Sequence, residues 1–387
     1  MTKVYLDHAA TTPVADSVME KMKPFFNKHY GNPSALHKLG VEAKEAVESA
    51  REEVAENLKT QPDTCFFTGS ATEANNIALL GAAKHYSGYG KHIITTKLEH
   101  PSVLNPVKQL EQEGFDVTYL DVDDNGWFDL KELEEALCED TILVSLMYVN
   151  NEIGNIYPIQ RIGKKILNFR QDKENNLPLF HTDACQASNY LHLDVRKLHA
   201  DLLVINGSKI YGPKGVGVLY KNRNIELEPI MFGGGQEKGL RSGTENVPGI
   251  VGMAEALTRV QDKKEEERDR LFELQQHFLR QIRDKFDRQV SMNGADLGVE
   301  QRAPNNLNLS FSGIEGEKLL LYLDSEGIYC SSGSACSLRT NKDLVNAVDL
   351  LCGCSEYSVR FTMGENTTRE KVNYVVDKLE WAVEKIN

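Results

Sequence analysis

Short runs of β-branched and aromatic residues alternate with longer amphipathic stretches through the first half of the chain and beyond. The pattern predicts seven strands, at residues 65–68, 92–96, 117–122, 142–149, 177–182, 202–205 and 216–220. Between them, apolar positions at helical spacing predict helices that include 71–86, 101–113 and 130–137. Strands that alternate with helices in this way are typical of an α/β fold with a largely parallel, doubly wound sheet.

The pattern changes after about residue 248. One helix is predicted from there to about residue 286, and its block of charged residues at 263–268 indicates a solvated face. Beyond it, the order predicts a smaller α+β unit with strands at 306–311, 327–331 and 357–361 and helices at 315–326, 342–351 and 369–386.

Length and charge restrict the class of protein. The 387 residues are 41% hydrophobic and 26% charged, which fits a folded protein of two or three domains. A formal net charge of −13 argues against duplex nucleic acid as the main ligand, because phosphate binding needs clustered positive charge. No apolar run approaches the roughly 18–20 residues that span a bilayer, so no membrane association is expected.

The seven cysteines have no regular spacing, and the N-terminus lacks the apolar segment of a secretory signal. Both features predict a reducing, cytoplasmic location. Cys352 and Cys354 are too few for a closed zinc site, because no second Cys/His pair has matching spacing, and we predict no metal. Four other cysteines are expected to be buried fillers of the core: Cys65, Cys138, Cys185 and Cys330.

Polar residues directly after the predicted strands are the candidates for chemistry, since ligands of such sheets bind at the carboxyl ends of strands. The first group is Ser70, Ala71 and Thr72, where a turn of small residues opens a helix whose free N–H groups suit a phosphate. An ordinary helix cap is the alternative interpretation of the same residues.

Two charged residues also follow predicted strands. Asp183 ends a strand that should be buried on both faces, so its carboxylate needs a donor or cationic partner. Lys209 lies in a glycine-punctuated loop after an apolar strand, where an amine can lose its proton and react with a carbonyl carbon. Together with the phosphate turn, these residues predict a site for pyridoxal phosphate, in which Lys209 bonds the aldehyde and Asp183 pairs with the ring nitrogen.

Cys336 differs from the other cysteines because its neighbours are serine, glycine and alanine. It lacks the apolar surroundings of a core filler, and the sequence predicts a loose loop. An exposed thiol in a reducing compartment indicates that its reactivity is used.

The motifs, in chain order, resemble those of the group I cysteine desulfurases, which are fold-type I pyridoxal phosphate enzymes of the class V aminotransferase family. The resemblance covers nearly the whole chain and rests on YLDHAATTP from Tyr5, YGNPS from Tyr30, Glu99-His100, VNNEIG from Val149, HTD from His181, KIYGPKG from Lys209, RSGT from Arg241, SGSAC ending at Cys336, and VRF from Val359. It implies a large domain of residues 14–255 with a mostly parallel seven-stranded sheet. Residues 1–13 and 256–387 would form the small α+β domain.

The resemblance also implies a reaction and its residues. L-cysteine is converted to L-alanine, and the sulfur moves to Cys336 as a persulfide and then to an acceptor protein. Lys209 and His100 would serve the acid/base steps, with His100 stacked on the cofactor ring unless it only caps a helix. The remaining roles follow by position: Gln186 contacts the ring hydroxyl, Asn206 and Ser208 contact the phosphate, and Asn151, Arg360 and Asn32 bind substrate.

Three further expectations follow from the resemblance. The protein should be a homodimer in which Thr244 reaches the partner's cofactor phosphate. Asn206 and Ser208 replace the serine and histidine of most relatives, which puts the affinity for the cofactor in question. The acceptor stays open between iron–sulfur assembly, thiolation of tRNA and modification of DNA. A transaminase, a selenocysteine lyase and an inactive scaffold are the alternative functions, and a thiol at Cys336 argues against the first.

Overall fold

The computed structural model describes residues 2–171, 176–296, 298, 301–332, 347–353 and 355–386. The strands are β1 Val4–Tyr5, β2 Cys65–Thr68, β3 His92–Thr96, β4 Asp116–Leu120, β5 Thr141–Ser145, β6 Leu179–Asp183, β7 Leu202–Asn206, β8 Gly217–Lys221, β9 Val290–Met292, β10 Asn306–Phe311, β11 Ile328–Tyr329, β12 Ser331–Ser332 and β13 Ser358–Thr362. The helices are α1 Asp16–Met22, α2 Pro24–Asn27, α3 Lys38–Leu58, α4 Ala71–Tyr86, α5 Pro101–Gln112, α6 Leu130–Ala136, α7 Ile159–Arg170, α8 Val195–Leu198, α9 Val247–Phe286, α10 Gly316–Ser325, α11 Ala347–Cys352 and α12 Arg369–Ile386.

The predicted seven strands form one sheet, in the order β2-β8-β7-β6-β5-β3-β4. Its neighbours pair in parallel except at β8, which is antiparallel to both β2 and β7. The prediction of a mostly parallel, seven-stranded α/β sheet is therefore confirmed. β5 ends at Ser145, earlier than predicted, although the backbone N–H groups of Leu146 and Tyr148 still donate to the His181 and Asp183 carbonyl oxygens of β6.

Helices cover both faces of this sheet, as its continuous apolar strands require. Side chains of α1, α3, α7 and the first half of α9 share one hydrophobic cluster with one face. Side chains of α4 and α5 share a second cluster with the other face. The sheet is thus buried on both sides, and its carboxyl edge is the place where polar loops gather.

The C-terminal part forms a four-stranded antiparallel sheet in the order β12-β13-β10-β9, and it packs with α10, α12 and the second half of α9. The predicted strand at 327–331 is divided: β11 pairs with β1, whereas β12 pairs with β13. Of the predicted helix at 342–351, residues 342–346 lie outside the described residues.

We propose the division into two domains given above on the basis of side-chain packing. Val260 in α9 belongs to the cluster of the large sheet, whereas Leu271 in the same helix belongs to the C-terminal cluster. Val4 and Leu6 pack with the C-terminal cluster too, and Val18 packs with the large one. In the described part of the chain, no helix is long and apolar enough to cross a membrane.

Candidate active site

Four strand-to-loop transitions bring the predicted residues to the carboxyl edge of the central sheet. β6 ends at Asp183, and β7 ends at Asn206 before a short turn, Gly207–Lys209. β2 leads into the cap of α4, and β3 leads into His100, the cap of α5. β6 and β7 are adjacent, and β2 and β3 run in the same direction with one strand between each of them and this pair. The carboxyl ends of all four strands therefore lie at one edge of the sheet.

The Lys209 amine lies against the N-terminal segment, by which we mean residues 6–12. Its Nζ donates to the carbonyl oxygens of Ala9 at 2.9 Å and Ala10 at 2.5 Å. Gln186 Nε2 donates to the same Ala9 oxygen at 2.9 Å, which brings Gln186 beside the lysine. Burial lowers the pKa of Lys209, and the Arg360 cation adds to that effect. A larger neutral fraction favours attack by the amine on an aldehyde.

The Asp183 carboxylate is buried, and each of its oxygens accepts a hydrogen bond. Its Oδ2 accepts a hydrogen bond from Asn75 Nδ2 at 2.8 Å, and its Oδ1 accepts one from the Cys185 backbone N–H at 2.9 Å. These two donors compensate for the water that the carboxylate loses on burial. Sequence reasoning missed Asn75, although a buried asparagine among the apolar positions of α4 is a signal for a hydrogen-bonding role.

A chain of buried polar groups continues from Asn75. His181 Nε2 lies 3.1 Å from Asn75 Oδ1, and its Nδ1 lies 2.8 Å from Ser145 Oγ. Burial lowers the pKa of His181 to about 4, so the imidazole is neutral. Since the Asn75 oxygen can only accept, Nε2 carries the proton and Nδ1 accepts from Ser145. The network holds the Asn75 amide in the orientation that serves Asp183.

His100 has the capping role that the sequence left open. Its Nδ1 accepts from the Ser102 backbone N–H at 3.1 Å and lies 2.7 Å from Ser102 Oγ. The side chain reaches solvent, yet the surrounding protein atoms lower its pKa by desolvation. Asp183 opposes this shift in the pKa and Lys209 adds to it, so all three groups interact electrostatically. A neutral imidazole can accept a proton near pH 7.

The predicted phosphate turn is a capped helix start, and the two interpretations are compatible. Ser70 Oγ accepts from the Glu73 backbone N–H at 3.2 Å, which confirms the cap. The cap uses neither the Ala71 nor the Thr72 N–H, and first-turn N–H groups have no partner inside a helix. Gly217 allows the close approach of this turn to β8, since a Cβ there would lie 2.7 Å from the Ser70 carbonyl carbon.

Asn206 precedes the turn Gly207–Lys209 and Ser208 lies within it, and both are partly buried. The Ser208 carbonyl oxygen accepts from the Thr12 backbone N–H at 2.8 Å, so the N-terminal segment also fixes this turn. Contact of either side chain with a phosphate stays a prediction.

Arg360 and Asn151, the predicted substrate pair, are in direct contact. Arg360 lies in the middle of β13, and its Nη1 donates to the Asn151 carbonyl oxygen at 2.9 Å. Its Nη2 donates to Asp7 Oδ1 at 2.9 Å, a partner that sequence reasoning missed. Asn32 is exposed, and its Oδ1 accepts from the Ser34 N–H at 2.9 Å. No hydrogen bond of the described residues joins Asn32 to Arg360.

Thr244 is exposed beside a cavity of about 70 Å³ that Gly69 also lines. The segment before Thr244 is tied to the phosphate turn, because Arg241 Nε donates to Glu73 Oε1 at 2.6 Å. Thr244 therefore lies near the start of α4, with its side chain exposed.

The cysteines divide into three groups. Cys65 and Cys185 are buried, as predicted, and Cys330 is partly buried against the C-terminal cluster, with its pKa raised by burial. The prediction was wrong for Cys138, which is exposed because it follows α6 at the surface. Cys336, Cys354 and the side chain of Cys352 lie outside the described residues.

The groups at this edge fit pyridoxal phosphate. An amine suits the aldehyde, a buried carboxylate suits the ring nitrogen, and a helix N-terminus suits the phosphate. The pKa of Lys209 responds to Asp183, and that of His100 responds to both, which indicates one site rather than separate features.

Known proteins are similar to this chain in both sequence and fold. The family model described as Aminotransferase class-V matches residues 4–375. Cysteine desulfurase IscS of Dictyoglomus turgidum is 44% identical over 386 residues, which cover 99% of this chain and 95% of that protein. A solved NifS-like protein is 35% identical with a TM-score of 0.90, covering 99% of this chain and all of that one. SspA in complex with cysteine is 34% identical with a TM-score of 0.78, covering 94% and 99%.

Proposed function

This chain belongs to the class V aminotransferase family and, within it, to the cysteine desulfurases, and from this premise we propose how its residues act. It is a pyridoxal phosphate enzyme that converts L-cysteine to L-alanine and transfers the sulfur. The observation that supports the residue assignment is the convergence of Lys209, Asp183 and His100 at one sheet edge, where Asp183 raises the pKa of both Lys209 and His100 against the effect of burial and Lys209 lowers that of His100.

We assign substrate binding to Arg360 on β13 and to Asn151 and Asn32 in loops. The Arg360 guanidinium and Asn151 bind the carboxylate of L-cysteine, and Asn32 belongs to the same proposed set. A planar guanidinium binds a carboxylate through two parallel hydrogen bonds. The cofactor is held by Lys209, by Asp183 and Gln186 at the ring, and by a phosphate set of Ser70, Ala71, Thr72, Asn206, Ser208 and Thr244.

The sulfur step belongs to Cys336. Its thiolate attacks the substrate sulfur, an S–S bond forms, and the carbon–sulfur bond of the substrate breaks with its electron pair left on carbon. Pyridoxal phosphate, when bound, supplies the electron sink that stabilises this pair. Lys209 and His100 move the protons, and a proton delivered to that carbon completes L-alanine while Cys336 holds the persulfide.

The test of this assignment compares three variants of the holoenzyme. We expect Lys209→Ala to lose the covalently held cofactor, so that borohydride no longer fixes a cofactor mass to the chain. Cys336→Ala should keep the cofactor and bind L-cysteine but form no persulfide, measured by mass spectrometry after alkylation. Cys330→Ala is the matched control and should form persulfide normally. Alanine production by Cys336→Ala at the wild-type rate would contradict the role of Cys336.

We propose that two copies of the chain form the working enzyme. Phe232 is 78% exposed and Met231 is 38% exposed, just before the segment that carries the exposed Thr244. Apolar side chains at a surface beside a site residue are typical of an interface.

A mixing experiment tests whether Thr244 serves the partner's site. If it does, a mixture of Lys209→Ala and Thr244→Ala chains forms mixed dimers with one intact site, and activity appears at limiting cofactor concentration. If Thr244 acts within its own chain, no mixed dimer contains an intact site and the mixture stays inactive. Sedimentation as a fully active monomer would also contradict the proposal.

The receiver of the sulfur is proposed to be another protein in the cytoplasm. The cysteines whose side chains the structure describes, at positions 65, 138, 185 and 330, are all free, which supports a reducing location. Iron–sulfur assembly, tRNA thiolation and DNA modification remain alternative destinations. Capture of proteins that receive labelled sulfur from Cys336 would identify the acceptor.

A further inference from the structure

The N-terminal segment is built into the site. The Thr362 backbone N–H donates to the Leu6 carbonyl oxygen at 2.7 Å, and the Ala9 N–H donates to Thr362 Oγ1 at 2.9 Å. On its other side, the segment receives Lys209 Nζ at Ala9 and Ala10. It therefore runs between β13, which carries Arg360, and the turn that carries Lys209.

Asp7 is the acidic side chain of this segment, and it pairs with Arg360. Its Oδ1 accepts from Arg360 Nη2 at 2.9 Å, while the Asn151 carbonyl oxygen accepts from Nη1 at 2.9 Å. Only 9% of the Arg360 side chain is exposed, and 23% of that of Asp7. Two anchors on two nitrogens fix both the position and the plane of the guanidinium.

Nε is the one guanidinium nitrogen of Arg360 that has no hydrogen-bond partner among the described residues. The Nε–H is buried and makes no hydrogen bond to the described residues. A buried, unsatisfied donor on a charged group is costly, and a ligand that accepts from it removes the cost. The arrangement thus leaves a fixed guanidinium with an open donor for an incoming carboxylate.

We propose that Asp7 is a positioning residue that holds Arg360 ready for the α-carboxylate of the amino acid substrate. This inference rests on the proposed function of Arg360. Without Asp7, the long arginine side chain gains rotamer freedom, and ordering it again opposes binding of the substrate. The role of Asp7 is therefore specific to ligands that carry a carboxylate.

Cysteamine provides the matched probe, because it has the amine and thiol of L-cysteine but no carboxylate. Asp7→Ala in the holoenzyme should raise KM for L-cysteine about tenfold or more, with a much smaller change in kcat. It should weaken binding of L-alanine similarly, whereas binding of cysteamine, followed by the visible absorption of the cofactor, should be unchanged. Asp7→Asn keeps an oxygen acceptor and should give a smaller loss.

The control is Asp63→Ala, which removes an exposed partner of Arg223 and should alter neither ligand. Equal losses for L-alanine and cysteamine in Asp7→Ala would overturn the inference, because they indicate a general structural role. An unchanged KM for L-cysteine in both Asp7 variants would overturn it as well. Failure of the wild-type holoenzyme to make alanine would instead overturn the proposed function, and the comparison of L-alanine with cysteamine would still report on Asp7.

Discussion

Lys209, His100 and His181 lie in or beside the active site, and desolvation lowers the pKa of each. The same physical effect has different consequences at each residue. For Lys209 it favours the neutral amine that reacts with an aldehyde, and for His100 it favours an imidazole that can accept a proton. For His181, which is fully buried, it removes the charge and leaves a hydrogen-bonding group that supports Asn75 and Asp183.

The buried state of His181 makes stability depend on pH. The pKa of this histidine falls from its ordinary 6.5 to about 4 in the folded protein, so the unfolded chain binds a proton between these values and the folded chain does not. Titration of His181 therefore leaves the free energy of unfolding unchanged above about pH 6.5. As the pH falls from there to about 4, the free energy of unfolding decreases by up to about 3 kcal/mol.

Denaturant unfolding of the holoenzyme between pH 4 and pH 7.5 measures this effect. His181→Gln keeps hydrogen-bonding atoms, and we expect it to show a smaller loss of unfolding free energy over this interval than the wild type. The exposed His192 is the control, and His192→Gln should follow the wild type. Parallel curves for wild type and His181→Gln would contradict the assignment.

At the scale of elements, close packing of α4 against β8 places the phosphate turn. Gly217 begins β8, pairs with Thr68 at the end of β2, and lies against the Ser70 carbonyl carbon. β2 and β8 are antiparallel, so the first residue of one strand adjoins the last residue of the other, from which the turn departs. The position of the turn thus depends on the absence of a side chain at residue 217.

Gly217→Ala tests this dependence. The added Cβ would lie 2.7 Å from backbone, which cannot yield as a side chain can, so the start of α4 must move. We expect weaker binding of pyridoxal phosphate and a loss of about 1–3 kcal/mol in unfolding free energy. Gly88→Ala is the control, since nothing lies within 4 Å of its Cβ. Unchanged cofactor affinity in Gly217→Ala would contradict this account.

At the scale of the whole molecule, a buried ion pair connects the segment around Thr244 to the core. Arg51 on α3 donates to both carboxylate oxygens of Glu237 at 2.8 Å, and Glu237 Oε2 also accepts from the Phe67 N–H at 2.9 Å. Glu237 and Lys238 have positive φ angles of 47° and 56°, which side chains rarely adopt. The ion pair compensates for this strain and holds the segment against β2.

Loss of one partner should therefore be costly. Glu237→Ala removes both short hydrogen bonds of Arg51 to a carboxylate and leaves this buried cation only the longer carboxylate contact, with the half-exposed Glu48, and we expect a loss of about 3 kcal/mol in unfolding free energy. Arg223→Ala breaks an exposed pair with Asp63 and should leave the unfolding free energy nearly unchanged. Chemical denaturation of both variants provides the measurement, and similar losses would show that burial of the pair is unimportant.

The sequence by itself determined the elements and the identities of the reactive groups. The strand periodicity located all seven strands of the central sheet, and Ser70 and His100 occupy helix caps, which the sequence had left open as the alternative interpretation of each. These features depend on short-range effects: backbone propensity, alternation of apolar residues and the needs of a helix end. Asp183 and Lys209 were recognisable because charged residues directly after apolar strands are unusual.

The tertiary structure alone decided which distant groups meet and which are buried. Asp7 pairs with Arg360 across 353 positions of the sequence, and Asn75 reaches Asp183 across 108. Cys138 is exposed against expectation, although its residue type is usually buried. Such outcomes depend on packing and desolvation between elements, which act through space rather than along the chain. Short stretches of sequence therefore identify the reactive residues, whereas the orientation and the pKa of each reactive group follow from the folded arrangement.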